Sequence, residues 1–447
     1  MTLAVAGTLM QTPAPDRLTV MDAVVEVDDA GRVAAVHDQS TSEGAALGRA
    51  ALDSADERVD LAEGTFLIPG LVDLHIHAPQ WPQLGTGLDL PLERWLFDYT
   101  FPLEARYADA GFATTVWDDL VPSLLAMGTT TAVYFSSNHL AATTALARAC
   151  GRHGQRALVG RVAMDHPTGT PEWYRDATAS AGVEASAASI EAVTAVGSPR
   201  VEPIITPRFT PACTDALLEG LGELAAATGV RVQTHCAESD WHCDYALDRF
   251  GVSDSTALNR FGLVRPRTVL AHSDHLTPEE AVLVAGRGAG VAHCPLSNAY
   301  FANAVFGVRQ ALAAGVGVGL GSDIAGGARP GLLGVCQDAV TVSRMLEDGV
   351  DPALGATDRG VPESRIDTMT AFWLATAGGA AVVDLPVGLI EPGRCFDAMA
   401  VRTDRPGGAI RLWDGIDDEA RAFEKVVRLA TADDISHVWV DGSSVKP

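Results

Sequence analysis

Pro69-Gly70-Leu71-Val72-Asp73-Leu74-His75-Ile76-His77-Ala78-Pro79-Gln80 decides how the rest of the chain is read. After a Pro-Gly entry the run is apolar, which predicts a buried β-strand. Side chains of a strand alternate between faces, so His75 and His77 point the same way. Two neighbouring imidazoles at a strand end can chelate a metal ion. A His-x-His pair is a weak motif alone, because a histidine at a strand end is more often an ordinary hydrogen-bonded core residue. The remaining strands decide which reading holds.

From Leu67 onward strands alternate with helical patterns, the mark of βαβ units. After the opening strand, strands are expected at 129–135, 157–163, 201–206, 230–235, 268–272, 290–293 and 316–321. Helices are expected at 116–127, 140–153, 185–196, 214–228, 278–286 and 307–314, and further ones at 333–346 and 368–376. Eight strands is the number a closed (β/α)8 TIM-like barrel requires, with functional side chains at the C-terminal strand ends. Residues 1–66 read as short strands and turns. A hairpin pairs 23–27 with 33–36 across the turn Asp28-Asp29-Ala30-Gly31-Arg32, and the Gly/Ala/Ser-rich piece 41–55 reads as a loose loop. β character returns at 397–401, 425–429 and 437–440. The expected architecture is therefore α/β: a metal-dependent barrel over 67–379 and a small β-sandwich domain built from 1–66 and 380–447.

Bulk properties narrow the function. The chain has 447 residues, 57 acidic and 32 basic side chains, and a formal charge of −25. Such a surface repels phosphate backbones and anionic membranes, so neither nucleic acid nor a membrane is an expected partner. No apolar run is long enough to span a bilayer. The seven cysteines are odd in number and scattered, with no Cys-x-x-Cys, and no signal peptide is expected. Reduced thiols and a cytoplasmic location are expected.

Placing the polar residues on the strand count brings them to one rim. His75 and His77 end the first strand, Arg208 follows the fourth, and His235 ends the fifth with Glu238 three residues on. His272 ends the sixth, and Asp323 follows the eighth. Each has an ordinary structural reading, but so many strand ends carrying metal-compatible groups point to a site. Three imidazoles and a carboxylate suit zinc, with Fe2+ or Mn2+ also compatible. His272 is either a further nitrogen ligand or the group that orients a metal-activated water. Glu238 is free to act as a proton shuttle. The other histidines (37, 139, 153, 166, 242, 275, 293 and 437) are assigned to structure or surface, with His293 nearest to the site because it too ends a strand.

These residues resemble the amidohydrolase superfamily and, within it, the guanine deaminases. Family-wide features are the opening run to His77, together with His235, His272 and Ser322-Asp323. Features of the narrower group are His77-Ala78-Pro79-Gln80, Leu90-Pro91-Leu92-Glu93-Arg94-Trp95-Leu96 with Tyr99-Thr100-Phe101-Pro102, and Pro207-Arg208-Phe209. To these add His235-Cys236-Ala237-Glu238, His293-Cys294-Pro295-Leu296-Ser297-Asn298 and Asp323-Ile324-Ala325-Gly326-Gly327. The resemblance covers essentially the whole chain. The His-x-Glu and Pro-Cys-x-x-Cys signature of the other zinc deaminases is absent.

The resemblance implies one zinc ion held by His75, His77, His235 and Asp323, and hydrolysis of guanine to xanthine and ammonia. Glu238 would protonate the ring nitrogen beside the attacked carbon, His272 would steady the attacking water, and Asp323 would accept its proton. Gln80 and Arg208 would read the base, with Phe209 and His235 lining the pocket. A guanidinium fork matches a carbonyl oxygen and ring nitrogen on one edge, which suits a lactam. Core packing is the expected role of Trp81 and Trp95, with stacking on a flat ring the alternative. Two departures, Trp81-Pro82 after Gln80 and Ala299-Tyr300-Phe301-Ala302-Asn303 in place of a small-residue loop, keep a pterin, isoxanthopterin or 8-oxoguanine open as the substrate. Relatives are commonly homodimers, and the same is expected here. The only lysines are Lys425 and Lys446, which disfavours a two-metal site bridged by a carboxylated lysine. A non-catalytic barrel is disfavoured because no ligand is missing.

Overall fold

The computed structural model describes residues 1–302 and 304–446. Eight parallel strands, in chain order, form the barrel wall: Leu71–His77, Thr129–Phe135, Arg156–Gly160 continued by Val162–Ala163, Val201–Pro207, Arg231–Cys236, Val269–His272, Gly290–His293 and Gly317–Leu320. The ring closes just past the eighth strand. Asp323 N donates to His75 O at 2.9 Å and His77 N donates to Ile324 O at 3.0 Å. Closure therefore passes through the two segments that bear His75, His77 and Asp323.

The first strand is buried on both faces, as a parallel strand covered by helices must be. Small residues set how closely the layers approach. A Cβ on Gly319 would lie 2.6 Å from both Gly379 Cα and Leu74 Cδ1, so the eighth strand rests directly on the backbone behind it. Gly319→Ala is expected to cost about 1–3 kcal/mol by overpacking, read as a lower urea midpoint with an unchanged slope.

Both chain ends build a second, eight-stranded sheet. From one edge its order is Ser443–Ser444, Ile435–Val440, Ala398–Arg402, Thr65–Pro69, Leu3–Ala14, Arg17–Val27 and Val33–Asp38, with Glu57–Asp60 also paired to Leu3–Ala14. It curls around its own core of Leu3, Val5, Leu9, Val25, Leu67, Phe396, Ala400 and Trp439. Thr65–Pro69 runs straight into the first barrel strand. Gly70 N still bonds Asp397 O, whereas Leu71 N already bonds Gly128 O. A Cβ on Gly70 would meet Thr130 Oγ1 at 2.3 Å, which explains the glycine at this crossing between sheets. A buried Arg156–Asp397 pair, with Asp441 on the same guanidinium, ties the sheet to the third barrel strand.

The expected hairpin is present, with Asp28 N bonded to Arg32 O. Two expectations fail locally. Residues 41–55 are not a loop but the helix Ser42–Ser54, capped by Thr41 Oγ1. Their small side chains are its packing face, since Gly44, Gly48 and Ala51 are buried and a Cβ on Gly48 would lie 3.0 Å from Val24 Cγ2. Residues 425–429 are not a strand but the last turns of the helix Glu419–Leu429, whose Ala422, Phe423, Val426 and Val427 bury one face. A five-residue window shows only the β-branched pair and misses the period. The segment after His293, for which no element is expected, is helical at Pro295–Phe301, and only Asn303 of the motif 299–303 lies outside the described residues. Among the described residues no helix is long and apolar enough to cross a membrane, and all seven cysteines are free thiols.

Candidate active site

The strand ends converge as the barrel topology requires. His77 Nε2 and His235 Nε2 are 2.9 Å apart, and Asp323 Oδ1 lies 3.2 Å from His75 Nε2 and 3.7 Å from His77 Nε2. His272 Nε2 sits 3.6 Å from Glu238 Oε1 and 4.0 Å from Asp323 Oδ2. All six side chains are buried. Ligand atoms of His75, His77 and Asp323 lie within 4.8 Å of one another, as do those of His75, His235 and His272.

Backbone strain marks the same rim. Ala237, His272, Ser273 and Asp323 take positive φ angles of 46°, 67°, 61° and 48°. Non-glycine residues adopt this left-handed region at a cost. Four such residues at one end of one barrel indicate that the packing imposes their directions.

The environment prepares the imidazoles to bind a cation. Burial pushes His75, His77 and His235 well below the usual histidine range, so they are neutral and carry a lone pair. His235 Nδ1 donates to Arg208 O at 2.6 Å, which leaves Nε2 as the free lone pair. His272 is fixed likewise, with Nδ1 donating to Asn298 Oδ1 at 2.9 Å, and Asn298 Nδ2 donating in turn to Asp274 Oδ1 at 2.6 Å. Both ring nitrogens of His75 and the Nε2 of His272 lack a hydrogen-bond partner although they are buried. Orphaned ring nitrogens aimed at one point beside a carboxylate fit a divalent cation. Burial, and then Asp323 nearby, pushes the Glu238 carboxyl up to about 8, which favours a proton-carrying form.

A pocket opens on this cluster. Its wall includes His77, Gln80, Arg208, Phe209, His235, Glu238 and Asp323, with Leu92, Trp95, Leu96 and Phe301 opposite, around about 380 Å3 of space. Trp95 is thus both buried, as expected, and part of the wall, with its ring centroid 5.3 Å from that of Phe301. Trp81 is half-buried and packs against the same core, as expected, with its Nε1 donating to Asp119 Oδ2 at 2.6 Å. The structure therefore brings together every residue singled out in the sequence for metal, acid–base and base-reading roles. His293 stays outside the cluster, buried with neither nitrogen paired. His242 is occupied by Asp254 at 3.2 Å beneath the Glu238 loop.

One residue escaped the sequence reading. Glu104 is buried behind the pocket, bonded to Arg208 and Gln80. No spacing rule links positions 80, 104 and 208. The only available signal was an unexplained glutamate two residues after the quoted Phe101-Pro102.

A closed (β/α)8 barrel with two histidines on its first strand, one each on its fifth and sixth, and an aspartate after its eighth defines a metal-dependent hydrolase class. The chain belongs to the amidohydrolase family, whose model matches residues 66–445. Within that family it is similar to guanine deaminases from several species. It is 35% identical to a probable guanine deaminase of Schizosaccharomyces pombe, over 98% of this chain and 82% of that one. The crystal structure of guanine deaminase from C. acetobutylicum, with guanine bound in its active site, superposes with a TM-score of 0.87 at 28% identity, covering 99% of this chain and 100% of that one. An adenosine deaminase from Xanthomonas campestris with bound zinc shares the fold at 24% identity and a TM-score of 0.82, over 99% and 92% of the two chains. Family and relatives mark the chain as a hydrolase acting on carbon–nitrogen bonds of cyclic amidines.

Proposed function

We propose that the protein hydrolyses guanine to xanthine and ammonia with one zinc ion per chain. A single observation supports this most: Gln80 and Arg208 face the same pocket as the cluster of His77, His235, Asp323 and Glu238. His75, His77, His235 and Asp323 would hold the zinc, and the chemistry of the donor set allows Fe2+ or Mn2+ in its place. Bound zinc supplies Lewis acidity that makes a water nucleophilic near neutral pH.

The protein's own groups carry the protons. Asp323 takes one from the attacking water, and His272, its tautomer set by Asn298, steadies that water through Nε2. Glu238 gives its proton to the ring nitrogen beside the amine-bearing carbon and then relays the second proton to the departing amine. Water adds, ammonia leaves, and a carbonyl replaces the amine. Arg208 and Gln80 orient the base by its lactam edge, and Phe209 packs against it. The assembled form is taken as a homodimer in the reducing cytoplasm, with a small heterocycle as the only ligand besides the metal.

Ammonia release from guanine, 8-oxoguanine, pterin, isoxanthopterin and cytosine tests the reading. The highest kcat/KM is expected with guanine and none with cytosine, whose single ring leaves the Trp95–Phe301 wall uncontacted. Turnover of a pterin without turnover of guanine would overturn the purine assignment in favour of another amino-lactam.

A further inference from the structure

The side chains that read the base are themselves held from behind. Glu104 lies on the short helix Phe101–Ala105, between the first and second barrel strands, and is 1% exposed. Its Oε2 accepts from Arg208 Nη1 at 2.6 Å, and its Oε1 accepts from both Arg208 Nη2 at 3.1 Å and Gln80 Nε2 at 3.0 Å. The other end of the Gln80 amide is committed too, because Ala325 N donates to its Oε1 at 3.1 Å. A carboxylate at one end and an N–H at the other permit a single amide orientation. Phe101, three residues before Glu104, lies 4.9 Å from the guanidinium carbon of Arg208. Glu104 itself is not part of the pocket wall.

We propose that Glu104 is a positioning residue that sets substrate specificity: it locks Arg208 and Gln80 into one rigid, charge-balanced fork that accepts only a neutral heterocycle with a carbonyl on the edge it reads. The inference rests on the reading of Arg208 and Gln80 given above. Each terminal nitrogen of the three-residue unit carries two hydrogens, of which Glu104 takes one. The hydrogens that remain have fixed directions, since a bidentate Arg–carboxylate pair fixes the guanidinium plane. Pairing also cancels the buried charge, so an anionic ring gains nothing from the arginine. A base lacking the carbonyl leaves these buried donors unmatched, which is the costliest kind of mismatch.

The test compares guanine with 2-aminopurine, which carries the amine on the same carbon but has no carbonyl. The wild type is expected to favour guanine in kcat/KM by at least about 10⁴, the scale for a site built around a substrate hydrogen bond. In Glu104→Gln, zinc content stays the same, KM for guanine rises, and the guanine preference falls at least about a hundredfold. Glu104→Asp keeps the charge and the fold while shortening the reach, and should lose about tenfold of the preference. It also carries the test if the glutamine variant does not fold. A merely structural role would lower both rates alike, so an unchanged ratio in a folded variant overturns the inference. A wild type that turns over guanine without preferring it to 2-aminopurine rejects the fork itself. If a pterin proves to be the substrate, the same ratio is measured between it and its carbonyl-free analogue, which separates this inference from the purine assignment.

Discussion

Asp323→Ala is expected to abolish metal binding and reduce turnover at least about ten-thousandfold, the upper end for loss of an acid–base group, while unfolding remains cooperative. The large effect follows from two losses at once. The carboxylate sits 3.2 Å from His75 Nε2 and 3.7 Å from His77 Nε2, so it closes the ligand cluster. It is also the group proposed to take the proton of the attacking water. The fold survives because the barrel is closed here by backbone: Asp323 N to His75 O and Gly327 N to Asp323 O are both kept in alanine. Burial already pushes this carboxyl up from its ordinary value, so removing it from the metal-free protein relieves a desolvation cost. Metal analysis of the purified variant and a denaturation curve check the result. Unchanged metal stoichiometry would remove Asp323 from the ligand set.

Glu238→Gln should keep the metal and lose turnover by at least about a hundredfold, with KM little changed. Glutamine preserves the shape of the side chain, and Glu238 stands 3.6 Å from His272 Nε2 at the edge of the cluster. What it cannot do is give up a proton and take it back. The loop that carries it is held from below by Ala237 N on Asp254 Oδ2 and by the His242–Asp254 pair, none of which the substitution touches. Substrate should therefore still bind and wait. Retained turnover in this variant would sink the shuttle role, whereas a rise in KM alone would move Glu238 to substrate binding.

The two variants separate the halves of the proposed mechanism. One loses metal and rate together, and the other loses rate with metal in place. Gly319→Ala adds a stability change in the wall of the barrel, and the Glu104 variants alter selectivity with metal retained. These are four distinct patterns of loss from one barrel.

The candidate site at the rim was legible for a geometric reason. In a strand the side-chain period is two, so His75 and His77 share a face whatever surrounds them. In a parallel barrel every strand ends at the same rim, so locating the ends of the fifth, sixth and eighth strands located His235, His272 and Asp323 as well. Small residues misled instead. The stretch Ser42–Ser54 is poor in large apolar groups, yet it is helical because Gly48 lets it lie against Val24. Ala422, Phe423, Val426 and Val427 show a helical face only when read beyond five residues.

The sequence by itself determined the barrel, the sheet drawn from both chain ends, the metal-compatible donors and the resemblance that points to an amino-lactam. Each depends on a short period or on a count of alternating elements, and both survive without coordinates. Only the tertiary structure decided which side chains hold the others in place. His235 is set by the carbonyl of Arg208, His272 by Asn298 and Asp274, and the Arg208–Gln80 fork by Glu104. These partners are 24 to 104 residues apart. A hydrogen bond needs its two atoms within about 3 Å, and no local pattern encodes which distant residue the fold will bring that close.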